Sequence, residues 1–175
     1  MSRGLTIFAK GNLDVRDSLH SLRLGGAIAW NGVNEIIRER FPGCTLRIRH
    51  ELHTRSDALL AATGVVPAEL EERRALLEPY VPEAQFSRAL FETEVDAYVL
   101  SIQADVMTAL FRNRRDGYLL YPAGQESWPS PDRSWLREQF SPVGMLDAES
   151  AMRALEGVVE RIHAAVRHLL NARRG

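Results

Sequence analysis

Three polar stretches hold the residue types that could do chemistry. The first runs Lys10-Gly11-Asn12-Leu13-Asp14 and continues to Asp17-Ser18. The second is His50-Glu51-Leu52-His53-Thr54-Arg55-Ser56-Asp57, and the third is Gln103-Ala104-Asp105. Gly11 and Asn12 could present backbone and amide donors to an anion, or form a tight turn after a strand. Ser18 is the candidate nucleophile, although in the segment DSLHS a helix cap is the commoner use of a serine. The planar fork of Arg55, with Ser56 beside it, could hold a carboxylate or phosphate; an ion pair to Asp57 or Glu51 competes for it. His50 and His53 could act as base or metal ligands, but a His-x-x-His pair without a third ligand also describes ordinary loop histidines. Gln103 and Asp105 could orient a ligand, or Asp105 could cap the segment that follows. Of the 22 basic residues only Lys10 is a lysine, so it alone could serve as a lysine base or Schiff-base amine.

Composition narrows the field. The chain has 175 residues, 45% hydrophobic and 26% charged, enough apolar content for one globular domain with its own core. A net charge of -1 argues against bulk attraction to nucleic acid or anionic membranes. Residues 1–56 carry nine Lys/Arg against five Asp/Glu, and residues 66–96 carry three against eight. Such bias fits solvated faces. Arg112-Asn113-Arg114-Arg115 has the charge to grip phosphates, but Asp116 beside it and the lack of interleaved aromatics favour a solvated loop. No apolar run reaches membrane-spanning length, and the N-terminal apolar run is too short for a signal peptide, so a cytoplasmic location is the expectation. The single cysteine, Cys44, excludes an internal disulfide and a cysteine-based zinc site. No metal and no cofactor are expected.

The elements that must position these residues follow from periodicity. Leu5–Ala9 reads as a buried strand. Asp17 or Ser18 could cap a helix, and Ala27–Phe41 predicts one through Ile28, Val33, Ile36, Ile37 and Phe41, stopped by Pro42-Gly43. Cys44–His50 alternates Leu46 and Ile48 with Arg47 and Arg49, a strand with one polar face. A short helix DALLAA, capped by Ser56 or Asp57, then ends at Gly64. Longer helices are expected over PAELEERRALLE, with Pro67 in the first turn, and over Gln85–Thr93. Asp96–Ile102 is the strongest strand, apolar on both faces as a central parallel strand should be. Residues 103–128 are irregular, and 130–140 form a short helix near Trp128 and Trp135, which pack rather than stack on sugar. The last helix, Asp147–Asn171, carries a seam of Met152, Leu155, Val159, Ile162, Val166 and Leu169. Strand and helix thus alternate, which predicts an α/β fold: a parallel sheet with helices on both faces. In such a sheet ligands bind beyond the carboxyl ends of the strands, where all three polar stretches fall.

The order of these segments resembles the SGNH/GDSL hydrolase superfamily, and LTIFAKGNLDVRDSLHS in particular is similar to bacterial SGNH-like proteins. The resemblance implies a flavodoxin-like α/β fold and hydrolysis or transfer of an ester or acetyl group on a small acylated substrate. Where the family carries Gly-Asp-Ser after its first strand, this chain has Gly11-Asn12-Leu13. RHELHTRSDALLAA has the layout of the family's second block without its glycine. DAYVLSIQADV matches the third block, with Gln103 near the glycine and Asp105 near the oxyanion-hole asparagine. The family's Asp-x-x-His, which supplies the base, is absent, and the chain ends VRHLLNARRG.

Two readings follow. One is an SGNH-like hydrolase or acyl-transfer protein, truncated or degenerate, with Ser18 as nucleophile and a binding and oxyanion set drawn from Lys10, Gly11, Asn12, Asp14, His53, Arg55, Ser56, Gln103 and Asp105. The other is a non-catalytic binding or interaction protein on the same scaffold, forming a homo-oligomer through the 147–171 helix. A nucleotide or phosphate binder ranks last, because neither a P-loop nor a G-x-G-x-x-G is present. With three confident strands and nothing after the last helix, the parallel sheet is expected to be incomplete at the C-terminus.

Overall fold

The computed structural model describes residues 3–11, 14–15, 21–24, 27–30, 32–51 and 54–172. Strand β1 spans Arg3–Lys10. The segment Ala27–Phe41 does not form one helix. Ser21–Leu24 (β2) and Ala27–Trp30 (β3) pair antiparallel instead, with Leu24 opposite Ala27. That register leaves only Gly25-Gly26 between the strands, the residue pair a two-residue hairpin connection demands. Strand pairing thus replaces the helical spacing that had included Ile28. Helix α1, Gly32–Arg40, keeps the remainder, and Gly43 turns the chain with φ +89°. Strand β4, Cys44–Glu51, shows the expected alternation, with Leu46 and Ile48 half-buried and Arg47 and Arg49 exposed.

Helix α2, Ser56–Ala61, lies where DALLAA places it. The next two predicted helices are broken. PAELEERRALLE yields α3, Ala68–Glu71, and a 3-10 turn over Arg74–Leu77. Arg73 between them is held by Asp132, 3.2 Å from its Nε, and lies 4.2 Å over the Trp135 ring. The stretch 85–93 divides into α4, Pro82–Gln85, and α5, Ala89–Glu92. The Phe86 carbonyl accepts the Gly64 N–H, and the Gln85 amide bonds the backbone of Tyr80 and Tyr121. In each case long-range partners outweigh helix propensity, which is worth only tenths of a kcal/mol per residue.

Strand β5, Ala97–Leu100, pairs parallel with β1, giving a three-stranded parallel sheet in the order β4-β1-β5. The central strand is therefore β1, not the Asp96–Ile102 segment expected there; among the described residues β5 pairs on one side only. Phe8, Ala9 and Lys10 are accordingly buried while Ala97 is exposed.

Helix α6, Gln103–Met107, leads into a second sheet, antiparallel, that the sequence pattern did not announce. Its strands are β6, Leu110–Asn113; β7, Leu119–Leu120; and, after helix α7 (Ser130–Gln139), β8, Phe140–Val143. The arginine cluster begins in β6 with Arg112 and continues into the β6–β7 turn with Arg114 and Arg115, where exposed Arg115 pairs with Asp116. Leu70, Leu77, Phe86, Leu120, Trp128, Leu136 and Phe140 form the core beneath this sheet, so Trp128 packs. The architecture is mixed α/β with a parallel sheet and an added antiparallel one. No helix among the described residues is long and apolar enough to cross a membrane.

Helix α8, Ala148–Ala172, covers the parallel sheet. Its Val158 and Ile162 join Phe8, Leu59, Leu90 and Phe91 in one core cluster. The helix is rotated from the expected seam. Ala151 and Val158 face the core, whereas Met152, Val159 and Val166 are 46%, 38% and 37% exposed. The Leu169 side chain lies outside the described set. The rotation has a visible cause. Gly157 sits so close to α2 that a Cβ there would stand 3.0 Å from Leu60 Cδ1. Arg161 lies 4.4 Å over the Phe91 ring and donates to the Leu60 carbonyl at 2.8 Å.

Two outcomes follow. Ile162→Ala should destabilise the protein to urea by about 2–4 kcal/mol, and Val159→Ala by under about 1 kcal/mol. Asp147 accepts the Ser150 N–H at 2.7 Å, and this bond holds its carboxyl below the ordinary value. A depressed folded-state pKa contributes stability that is present above the ordinary carboxylate pKa and lost as pH falls through the folded one. The melting-temperature gap between wild type and Asp147→Ala should therefore be open at pH 7 and close under acid.

Candidate functional site

All three parallel strands end on the same side, and their loops meet there. The Lys10 side chain is fully buried at the end of β1. Its Nζ donates to Asp105 Oδ2 at 2.9 Å and to the Ser101 carbonyl at 2.7 Å. Asp105 sits in the first turn of α6. Its Oδ2 also accepts from Ser56 Oγ at 3.1 Å, and its Oδ1 accepts the Ser56 N–H. Asp105 therefore does not cap the segment that follows it, in whose first turn it lies; it accepts the N–H of the first residue of α2, 49 residues away in the chain. Neither Ser56 nor Asp57 caps it in the way the local sequence suggested: Ser56 is its first residue, with Arg55 at the cap position.

Arg55 is also fully buried, and its fork is filled. Nε and one terminal nitrogen bond the two Asp57 oxygens at 3.0 and 2.6 Å. The other terminal nitrogen donates to the carbonyls of Thr108, at 2.9 Å, and Gly144, at 2.7 Å. The competing ion pair to Asp57 thus takes Arg55, and its donors point at protein rather than at a ligand. Gly144 follows β8 directly, so Arg55 fastens the parallel sheet to the antiparallel one.

Compared with protein-family models, with curated proteins and with solved structures, the chain finds no match. Its chemistry has to be read from the site itself.

A rim surrounds the buried network. Gly11 packs so tightly that a Cβ would run into Val15 and Ser101. Ser101 Oγ donates to Asp14 Oδ2 and accepts the Gln103 N–H at 2.9 Å, tying the first loop to the third. Gln103 Oε1 is buried without a hydrogen-bond partner among the described residues. Asn12, Ser18 and His53 lie outside the described residues, as does the side chain of His50. Ser101 is the residue that pattern reading missed. Its signal was a serine directly at the end of an apolar strand, two residues before the start of a helix. Among the described residues no group of three or more His, Cys, Asp or Glu is placed to hold a metal ion.

A second concavity of about 170 Å³ lies between α2 and the β6–β7 hairpin, lined in part by Ala58, Ala62, Val65, Phe86 and Tyr118. The Tyr118 phenol is spoken for: its hydroxyl donates to Glu69 Oε1 at 3.0 Å, and burial first, then Glu69, pushes its pKa up. This cleft offers apolar contact.

The Lys10 ammonium is fully buried and bonded on two sides. Removing only one member of such a pair strands the other charge. Asp105→Leu and Lys10→Met should each cost about 3–5 kcal/mol in urea unfolding, and the double variant clearly less than the two losses together. Additive losses would mean that the pair is not coupled.

Proposed function

We propose that the chain is an SGNH-like α/β protein that binds an acylated small molecule beyond the carboxyl ends of β1, β4 and β5 and hydrolyses or transfers its acyl group. The observation that carries this reading is the convergence of the three strand-end loops on Asp105, with Lys10 from the first loop and Ser56 from the second bonded to one carboxylate. The strand order supports it. Numbered along the chain, the parallel strands stand second-first-third, the order with which a flavodoxin-like sheet begins. The strand order reverses at β1, with β4 on one side of it and β5 on the other, and such folds place ligands beyond the carboxyl ends of the strands at that point.

Roles divide by burial. Lys10, Arg55, Ser56 and Asp105 form the floor. Ser18 is the nucleophile, and Gly11, Asn12 and Gln103 are the residues that stabilise the developing oxyanion. The base and acid come from outside this set, since a serine needs a positioned base to attack. A second reading, a non-catalytic scaffold, is favoured by one specific observation: the four floor residues spend their polar groups on one another, on Asp57 and on backbone.

Hydrolysis of p-nitrophenyl acetate separates the two. Catalysis predicts turnover above the buffer rate, lowered about 100-fold or more in Ser18→Ala. It also predicts a loss of about tenfold to 100-fold in Gln103→Ala, with circular dichroism unchanged in both. Absent turnover, or turnover indifferent to Ser18, overturns the hydrolase reading.

A further inference from the structure

We draw no further inference here: the strongest candidate, the outward apolar face of α8 where Met152, Leu155 and Val159 line a shallow groove with Glu156 and Glu160, carries nothing because nothing in the structure shows what covers it.

Discussion

The buried ion pair between Lys10 and Asp105 is the constraint on which the arrangement of the parallel sheet depends. Taking an ammonium and a carboxylate out of water costs several kcal/mol each, and attraction offsets this only where the remaining hydrogen-bonding groups are also satisfied. Here they are met from three places: the Ser101 carbonyl after β5, and the backbone and hydroxyl of Ser56 at the start of α2. The end of β1, the start of α2 and the first turn of α6 must then stand within hydrogen-bond reach together. A lysine suits this position better than the arginines that fill every other basic position. Its compact head fits two acceptors at the end of a strand, where a planar fork would need more room.

Arg55 and Ser56 are neighbours that fasten the same point in two directions. Ser56 ties inward to Asp105, and Arg55 ties outward to Thr108 and Gly144. The two sheets have separate apolar clusters beneath them, one around Phe8 and Ile162 and the other around Leu120 and Phe140. Apolar packing is non-directional and would tolerate small slips between such clusters. Arg55 is directional: its five N–H donors fix geometry as well as distance. A sequence that spends a fully buried arginine at this junction fixes how β4 and β8 approach one another.

Much of this was legible in the residues. Alternation in Cys44–His50, the apolar run of β1 and the helix of 130–140 reported their elements because each depends on near neighbours in sequence. The Arg55–Asp57 pair was legible for the same reason, with its partners two positions apart. What stayed hidden was decided at long range. The breaks in 67–78 and 85–93 come from Asp132, Trp135, Gly64 and Tyr121, none of them visible within a helical window. The rotation of α8 comes from Gly157 against Leu60 and Arg161 over Phe91. Strand β8 escaped because a proline interrupts its pattern, although Pro142 is tolerated in a strand that pairs on one side with β6. The strand-end location of the site was legible from the pattern; that Lys10 and Ser56 meet on Asp105 was not, because 95 residues separate lysine from carboxylate.

Polar residues gathered at strand ends therefore carry two meanings, and satisfaction separates them. Lys10, Arg55, Ser56 and Asp105 are buried and hydrogen-bonded to protein groups, so their polarity goes into holding the loops. Gln103 differs. Its N–H is engaged by Ser101, yet its side-chain oxygen is buried and unmatched among the described residues. A buried acceptor left without a donor costs about 1–3 kcal/mol, a debt a structure does not carry without compensation. The four buried residues hold the strand-end loops together, and Gln103 beside them is the one whose side-chain oxygen is buried without a partner among the described residues.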